Sequence, residues 1–159
     1  MHKDMRRGDR RLTDEESRTI LEKSEYGILA TVTAAGEPYG VPLSYILMGD
    51  AIYIHSAMDG EKVDNIIANP AVCFTVVGFA EPVGGQPGFS TYYESCIVFG
   101  NIREVTDATE KHDVLLALTM KYLPEYKDLF EVEIKKAGIT RVFAIPLDRL
   151  SGKSKKKTA

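Results

Sequence analysis

The alternation of apolar and polar residues along the chain predicts a domain built mainly from short strands. The clearest stretch is 51–77, AIYIHSAMDGEKVDNIIANPAVCFTVV, which predicts a strand, a tight turn, a two-turn helix and a further strand. The helix fits residues 61–68, and Asn69-Pro70 ends it because the residue before a proline is pushed out of the α region. Residues 71–77 are almost wholly apolar, so we expect that strand to be buried on both faces.

Helical patterns flank the strands on both sides. Thr13 and Glu16 form a capping box ahead of a short helix that ends near Lys23. A second capping pattern at 107–110 precedes a helix that reaches about Leu123, and a further amphipathic segment covers 127–137. Strand patterns are found at 28–33, 38–48, 51–57, 71–77, 92–105 and 140–147.

These elements predict a single domain over residues 13–150, mainly β with flanking α-helices. Hairpin-linked strands favour an antiparallel sheet, and about six strands with few exposed edges favour a closed or partly closed barrel. The segment 78–91, GFAEPVGGQPGFST, is rich in glycine and proline and is predicted to be a loop at the mouth of a substrate site. We expect residues 1–12 to be a flexible arm and 151–159 a frayed basic tail.

Composition narrows the class of protein. The chain has 159 residues and a formal net charge of −3, which gives no sign of a nucleic-acid partner. No apolar run approaches the roughly 20 residues that span a bilayer, and no secretory signal is visible, so we expect a cytoplasmic protein with no membrane partner. Cys73 and Cys96 lie in apolar runs without a C-x-x-C pattern, which predicts reduced core thiols.

Candidate chemistry is concentrated where the third strand meets the short helix. Ser56 and Lys62 would hold a phosphate at the helix N-terminus, although a turn serine and a solvated lysine are the commoner interpretation of such a pair. Strand alternation places His55 on the face opposite Ser56, so both reach one ligand only at the strand's end or edge, or across a bulge. With an ordinary pKa of about 6.5, His55 suits hydrogen bonding or proton transfer, or a structural role.

Two further features bear on possible ligand or metal sites. Tyr93 and Ser95 begin a strand where an aromatic ring can stack on a flat ligand and a hydroxyl can bind it; ordinary strand packing is the alternative. A metal site is not expected, because His2 and His112, the only other histidines, have no ligand spacing. No P-loop, G-x-S-x-G or G-x-G-x-x-G motif is present.

The order of these features resembles the FMN-binding split-barrel family of pyridoxamine 5′-phosphate oxidase-like proteins. The shared pattern is a histidine or aromatic residue followed by serine or threonine, a loop with lysine, a helix, and Asn-Pro before a valine-rich strand. The sequences MRRGDR at 5–10, YESCIVFG at 93–100 and SGK at 151–153 are similar to the nitroimidazole-resistance (Nim-like) branch. The resemblance extends from Met5 to Lys153.

The resemblance implies a six-stranded antiparallel split barrel and a homodimer with FMN at the subunit interface. It places Ser56 and Lys62 at the FMN phosphate and His55 beside the flavin as the catalytic candidate. Backbone contacts to the ring would come from Val41, Pro42 and Leu43, and further cofactor contacts from Ala30, Thr31, Tyr93 and Ser95. Glu61 stands where the oxidase proper has an arginine, which argues against oxidation of pyridoxamine phosphate.

The expected function is that of an FMN-dependent oxidoreductase acting on a small-molecule substrate such as a nitroaromatic. In such a protein the cofactor supplies the redox chemistry, and the chain binds and orients it. Two alternatives stay open at this point: a non-catalytic protein that stores or senses flavin, and a haem- or deazaflavin-binding member of the same fold.

Overall fold

The computed structural model describes residues 4–85 and 88–156 as two antiparallel sheets with flanking helices. The α-helices are α1 Asp14–Lys23, α2 Glu61–Ala68, α3 Ala108–Tyr122 and α4 Lys127–Glu133. The strands are β1 Tyr26–Val32, β2 Pro38–Ser44, β3 Ile46–Met48, β4 Ala51–Ser56, β5 Ala71–Gly85, β6 Gly88–Asn101, β7 Arg103–Glu104, β8 Arg141–Pro146 and β9 Arg149–Lys155. One sheet has five strands in the order β2-β1-β5-β6-β9, and the other has four in the order β3-β4-β8-β7.

The predicted fold class is confirmed, but the number of strands is larger than six. The strand expected at 38–48 is divided at Tyr45, where the chain leaves the five-stranded sheet and enters the four-stranded one. Tyr45 is fully buried, and its hydroxyl donates to the carbonyl oxygen of Leu21 at 2.6 Å. The strand expected at 92–105 is divided into β6 and β7, and β9 is an additional strand.

Local signals placed the helices correctly. The hydroxyl of Thr13 accepts from the Glu16 N–H at 3.1 Å, and the Glu16 carboxylate accepts from the Thr13 N–H at 3.0 Å, so the predicted capping box is present. Asp107 caps α3 by accepting from the Glu110 N–H at 2.8 Å. Helix α2 has the predicted bounds, and Asn69 is its C-cap.

The main hydrophobic core lies between the two sheets and is closed at one end by α1. It joins the inward face of the five-stranded sheet, including Leu29 and Phe74, to Ile52 and Ile54 on β4. A second cluster, centred on Val114 of α3, covers the outward face of the four-stranded sheet. Cys73 and Cys96 are free thiols, as expected. Among the described residues, no helix is long and apolar enough to cross a membrane.

The prediction of a loop at 78–91 is wrong for the described part of that segment. Strand β5 continues to Gly85 and pairs with β6 from Gly88, so the segment is the outer end of a long hairpin. The register shifts between Val77 and Phe79, which places one extra residue in β5. That bulge breaks the two-residue period, and the mostly exposed outer hairpin carries no apolar alternation that the sequence pattern would reveal. A role of this segment at a substrate mouth stays a prediction.

The prediction of a frayed basic tail is also wrong for residues 151–155. They belong to β9, which pairs with β6 from Phe99↔Arg149 to Tyr93↔Lys155. Leu12 contacts this strand, because its N–H donates to the Gly152 carbonyl at 3.1 Å. The sequence SGKSK lacks an apolar period, so only its backbone pairing with β6 makes it a strand.

Gly27 on β1 provides a test of the core. A Cβ atom at this position would overlap the ring of Phe74 and touch Val76, so we expect Gly27→Ala to lower the free energy of unfolding by about 1–3 kcal/mol through overpacking. Gly40→Ala on the neighbouring strand is the control, because its nearest neighbour would be Ile28 at 3.7 Å, an ordinary contact. Urea denaturation measures both variants, and equal stabilities would contradict this packing.

Candidate functional site

The turn between β4 and α2 brings a serine, a lysine and a helix N-terminus together. Ser56, the last residue of β4, is 7% exposed, and α2 begins five residues later. Gly60 precedes the helix with a φ of +121°, a conformation that residues with a Cβ atom rarely adopt. No side chain caps α2, which leaves the positive end of the helix available to an anion.

Lys62 lies in the first turn of α2 and is partly buried. Burial lowers the pKa of its ammonium group, as expected when a charge loses water without gaining an acidic partner. Glu61, the acidic residue that argued against phosphate binding, is exposed on the same helix. An anion at the helix N-terminus would therefore meet a partly desolvated lysine, with the neighbouring carboxylate turned toward water.

Helix α2 is held in place by a buried polar pair that the sequence did not reveal. The Asn65 side-chain amide donates to the Thr31 hydroxyl of β1 at 3.1 Å, and the two residues are 4% and 2% exposed. Thr31 was expected to contact the cofactor, but its side chain points into the barrel and anchors α2. The only signal for Asn65 was an amide between the apolar positions Val63 and Ile66.

His55 lies on the opposite face of β4 from Ser56, as strand alternation predicted. It forms part of the wall of a cavity of about 520 Å³ between the four-stranded sheet and the α3–α4 region. Partial burial of the His55 side chain lowers the pKa of its imidazole, and the positive charge of Lys62 lowers that pKa further. Both effects favour the neutral form of the ring. The cavity wall is otherwise mainly apolar, formed by Leu115, Leu118, Leu123, Phe130, Ile134 and Ile139 with a few polar groups.

The other predicted cofactor residues divide between the two faces of the five-stranded sheet. Val41 and Leu43 pack against the main core. The outward face carries Ala30, Pro42, Tyr93 and Ser95, as the strand registers show.

That outward face is not covered within the chain. Ile28 is 42% exposed and Val77 55% exposed, so the expectation that residues 71–77 are buried on both faces is not met in one protomer. Strand β2, which carries Pro42, is an edge strand of this sheet. Gly100 of β6 lies close to the backbone of its own chain: a Cβ atom there would be 2.9 Å from the Pro146 carbonyl oxygen.

The family model described as pyridoxamine 5′-phosphate oxidase matches residues 13–154. The chain belongs to this family. The match includes both sheets and the β4–α2 turn. None of the curated proteins compared with the chain matches it.

Solved structures show the same fold at low sequence identity. A candidate 5-nitroimidazole antibiotic resistance protein from Bacteroides thetaiotaomicron has a TM-score of 0.79 and 24% identity, covering 90% of this chain and 85% of that one. The flavocytochrome Anf3 from Azotobacter vinelandii has a TM-score of 0.84 and 19% identity, covering 97% and 73%. An FAD- and haem-binding protein from Mycobacterium smegmatis has a TM-score of 0.77 and 21% identity, covering 91% and 72%.

The coupling between Lys62 and His55 can be measured directly. Because the Lys62 charge lowers the pKa of His55, we expect Lys62→Ala to raise that pKa, while the burial that also lowers it stays in place. A pH titration of the histidine ring protons by NMR measures the change. Lys23→Ala, an exposed lysine at the end of α1, is the control and should leave the His55 pKa unchanged. The same midpoint in the Lys62 variant and in the native protein would exclude the coupling.

Proposed function

We propose that this protein binds FMN and uses it as an oxidoreductase toward small molecules such as nitroaromatics. The observation that carries the proposal is the partly buried Lys62 in the first turn of α2, a helix that begins five residues after Ser56 and has no side-chain cap among the described residues. This set supplies a positive charge, a hydroxyl donor and backbone N–H groups, which together suit a phosphate ester. Family membership and the flavin-binding proteins among the similar structures support it.

In this proposal the chain's residues bind and orient the flavin, whose ring supplies the electron transfer when it is bound. Ser56 donates a hydrogen bond to the phosphate, and Lys62 neutralises part of its charge. The exposed edge strand β2 offers backbone groups of Val41, Pro42 and Leu43 along the ring. Thr31 contributes indirectly, because its bond to Asn65 holds α2 at the position that the phosphate requires.

We propose a homodimer because the predicted site residues lie on two separate parts of the chain. Ser56 and Lys62 lie at the β4–α2 turn, whereas Ala30, Tyr93 and Ser95 lie on the outward face of the five-stranded sheet. A second copy seated on that face would cover its exposed apolar residues and bring the two groups to one cofactor. Burial of apolar area on this face would supply the driving force for pairing.

His55 is proposed to act on the substrate at the cavity beside α3. A neutral imidazole in a mainly apolar wall can donate one hydrogen bond and accept another, which suits a flat ring with a polar substituent. His55 would then position the substrate or pass it a proton. The partners of this step are the cavity's own residues and the small molecule, with no nucleic acid or membrane involved.

Haem binding is a second candidate for the same cavity. Neutral imidazole is the form that ligates iron, and the apolar wall beside His55 suits a porphyrin. Two similar structures are described as a flavocytochrome and as an FAD- and haem-binding protein. A flavin store or sensor without turnover is the remaining alternative.

The visible spectrum of the purified protein, followed by FMN titration, separates these functions. Flavin absorbance supports the first proposal, and a Soret band that depends on His55 supports haem. Reduction of the bound flavin by NADH or NADPH, with reoxidation by a nitroaromatic, distinguishes an enzyme from a store. A colourless protein that takes up no flavin would overturn the flavin proposal.

Variants test the assignment of individual residues. We expect Lys62→Ala to weaken FMN binding by about 10- to 100-fold and Ser56→Ala by about fivefold, since hydrogen bonds to charged groups contribute about 1.5–3 kcal/mol and neutral donors less. Lys23→Ala should not change the affinity. His55→Ala should lower turnover more than it weakens FMN binding, and unchanged turnover would rule out its proposed role.

The dimer is tested by placing a charge on the exposed sheet face. Ile28→Arg should convert a dimer into a monomer in light scattering and weaken flavin binding in parallel, because a buried unpaired charge opposes association. Leu129→Arg on α4, where the native leucine is 54% exposed, is the control and should leave the mass unchanged. A native monomer that retains FMN would overturn the shared-site proposal.

A further inference from the structure

A cation-rich cleft lies at residues that are far in sequence from the β4–α2 turn. Its volume is about 460 Å³, and it is bounded by the short helix Gly8–Arg10, the N-terminal part of α1 and the end of β9. Five of its lining side chains are cationic and two are acidic, which leaves an excess of positive charge. Such an excess is a general feature of anion sites.

The ion pairs within the cleft leave two of its cations available. Arg7 pairs with Asp9 at 2.6 Å, Arg11 with Asp4 at 3.7 Å, and Lys156 with Glu16 at 3.1 Å. Arg10 forms no direct ion pair among the described residues, although its charge helps to lower the pKa of Asp9; its guanidinium donates to the hydroxyl of Tyr93 at 3.4 Å.

Lys155 is available in the same way. Its ammonium donates to the hydroxyl of Ser90 and has no carboxylate partner in the part of the chain that the structure describes. The Arg10 hydrogen bond, together with the nearby charge of Lys153, lowers the pKa of Tyr93, which agrees with an electropositive environment.

Ser154 gives independent evidence for a ligand. It lines the cleft and is 7% exposed, and its hydroxyl has no hydrogen-bond partner among the described residues. It is the one buried side-chain polar atom in the described structure for which no partner is found. A buried hydroxyl without a partner destabilises the fold, so its retention beside Arg10 and Lys155 indicates an acceptor that enters from outside.

We propose that this cleft binds a phosphate group, either free or carried by a nucleotide. A phosphate offers several strong acceptor oxygens, enough for the hydroxyl of Ser154 and the fork of N–H donors on Arg10, and the charge of Lys155 adds to the attraction. The cleft is lined by the N-terminal segment and β9 and includes neither Ser56 nor Lys62, although its Arg10 contacts Tyr93, a predicted cofactor residue.

The test is an NMR titration of the full-length, isotope-labelled protein with inorganic phosphate and, separately, with ADP at constant ionic strength. We expect saturable shifts of the Ser154 and Arg10 amide signals. Ser154→Ala should weaken phosphate binding at least about fivefold without lowering the melting temperature, because it removes an unsatisfied hydroxyl. Arg10→Gln should weaken it about tenfold.

Matched variants separate this site from general charge effects and from the flavin site. Arg149→Gln removes a cation from the same strand outside the cleft and should change the affinity less than about twofold. Lys62→Ala should leave phosphate binding intact even where it abolishes flavin binding. Tighter binding of ADP identifies a nucleotide ligand and equal binding a free anion, and both outcomes support the proposal. Linear, non-saturating shifts, or native affinity in Ser154→Ala, would overturn it.

Discussion

The corner at Tyr45 determines how the two sheets face each other. The residue is fully buried, and its hydroxyl donates to the end of α1 at the Leu21 carbonyl. Its backbone N–H donates to the hydroxyl of Tyr122 at 3.0 Å, and its carbonyl accepts from Lys121 at 3.0 Å. One residue thus joins α1, α3 and the strands on either side of it. Burial raises the pKa of the Tyr45 phenol, in keeping with a hydroxyl that stays protonated as a donor.

The positions of the candidate groups follow from this corner. Because the chain changes sheet at Tyr45, β4 has one face toward the main core and the other toward α3. Ser56 therefore lies near the helix N-terminus of α2, while His55 faces the cavity whose wall includes Tyr122. The positive charge of Lys62, in the first turn of α2, lowers the pKa of His55.

The two proposed anion sites differ in construction. At the β4–α2 turn the donors belong to consecutive elements, and a buried Asn65–Thr31 bond fixes the helix that carries Lys62. In the cleft at β9 the donors come from opposite ends of the chain, and the arm is held by its hydrogen bond to Gly152. The first arrangement can be recognised in the local sequence. The second forms only when residues 7–12 and 154–156 come together in the fold.

The sequence by itself determined the elements whose signals are local. The capping box at Thr13, the Asn69-Pro70 helix end and the alternation through β4 each depend on neighbouring residues, and each was predicted correctly. The family resemblance assigned Ser56 and Lys62 to the cofactor phosphate. Only the tertiary structure decided that 78–85 extends a hairpin, that 149–155 is a strand and that Thr31 supports α2. Those outcomes depend on backbone pairing and burial between residues far apart in the chain, which leave no periodic pattern in the sequence.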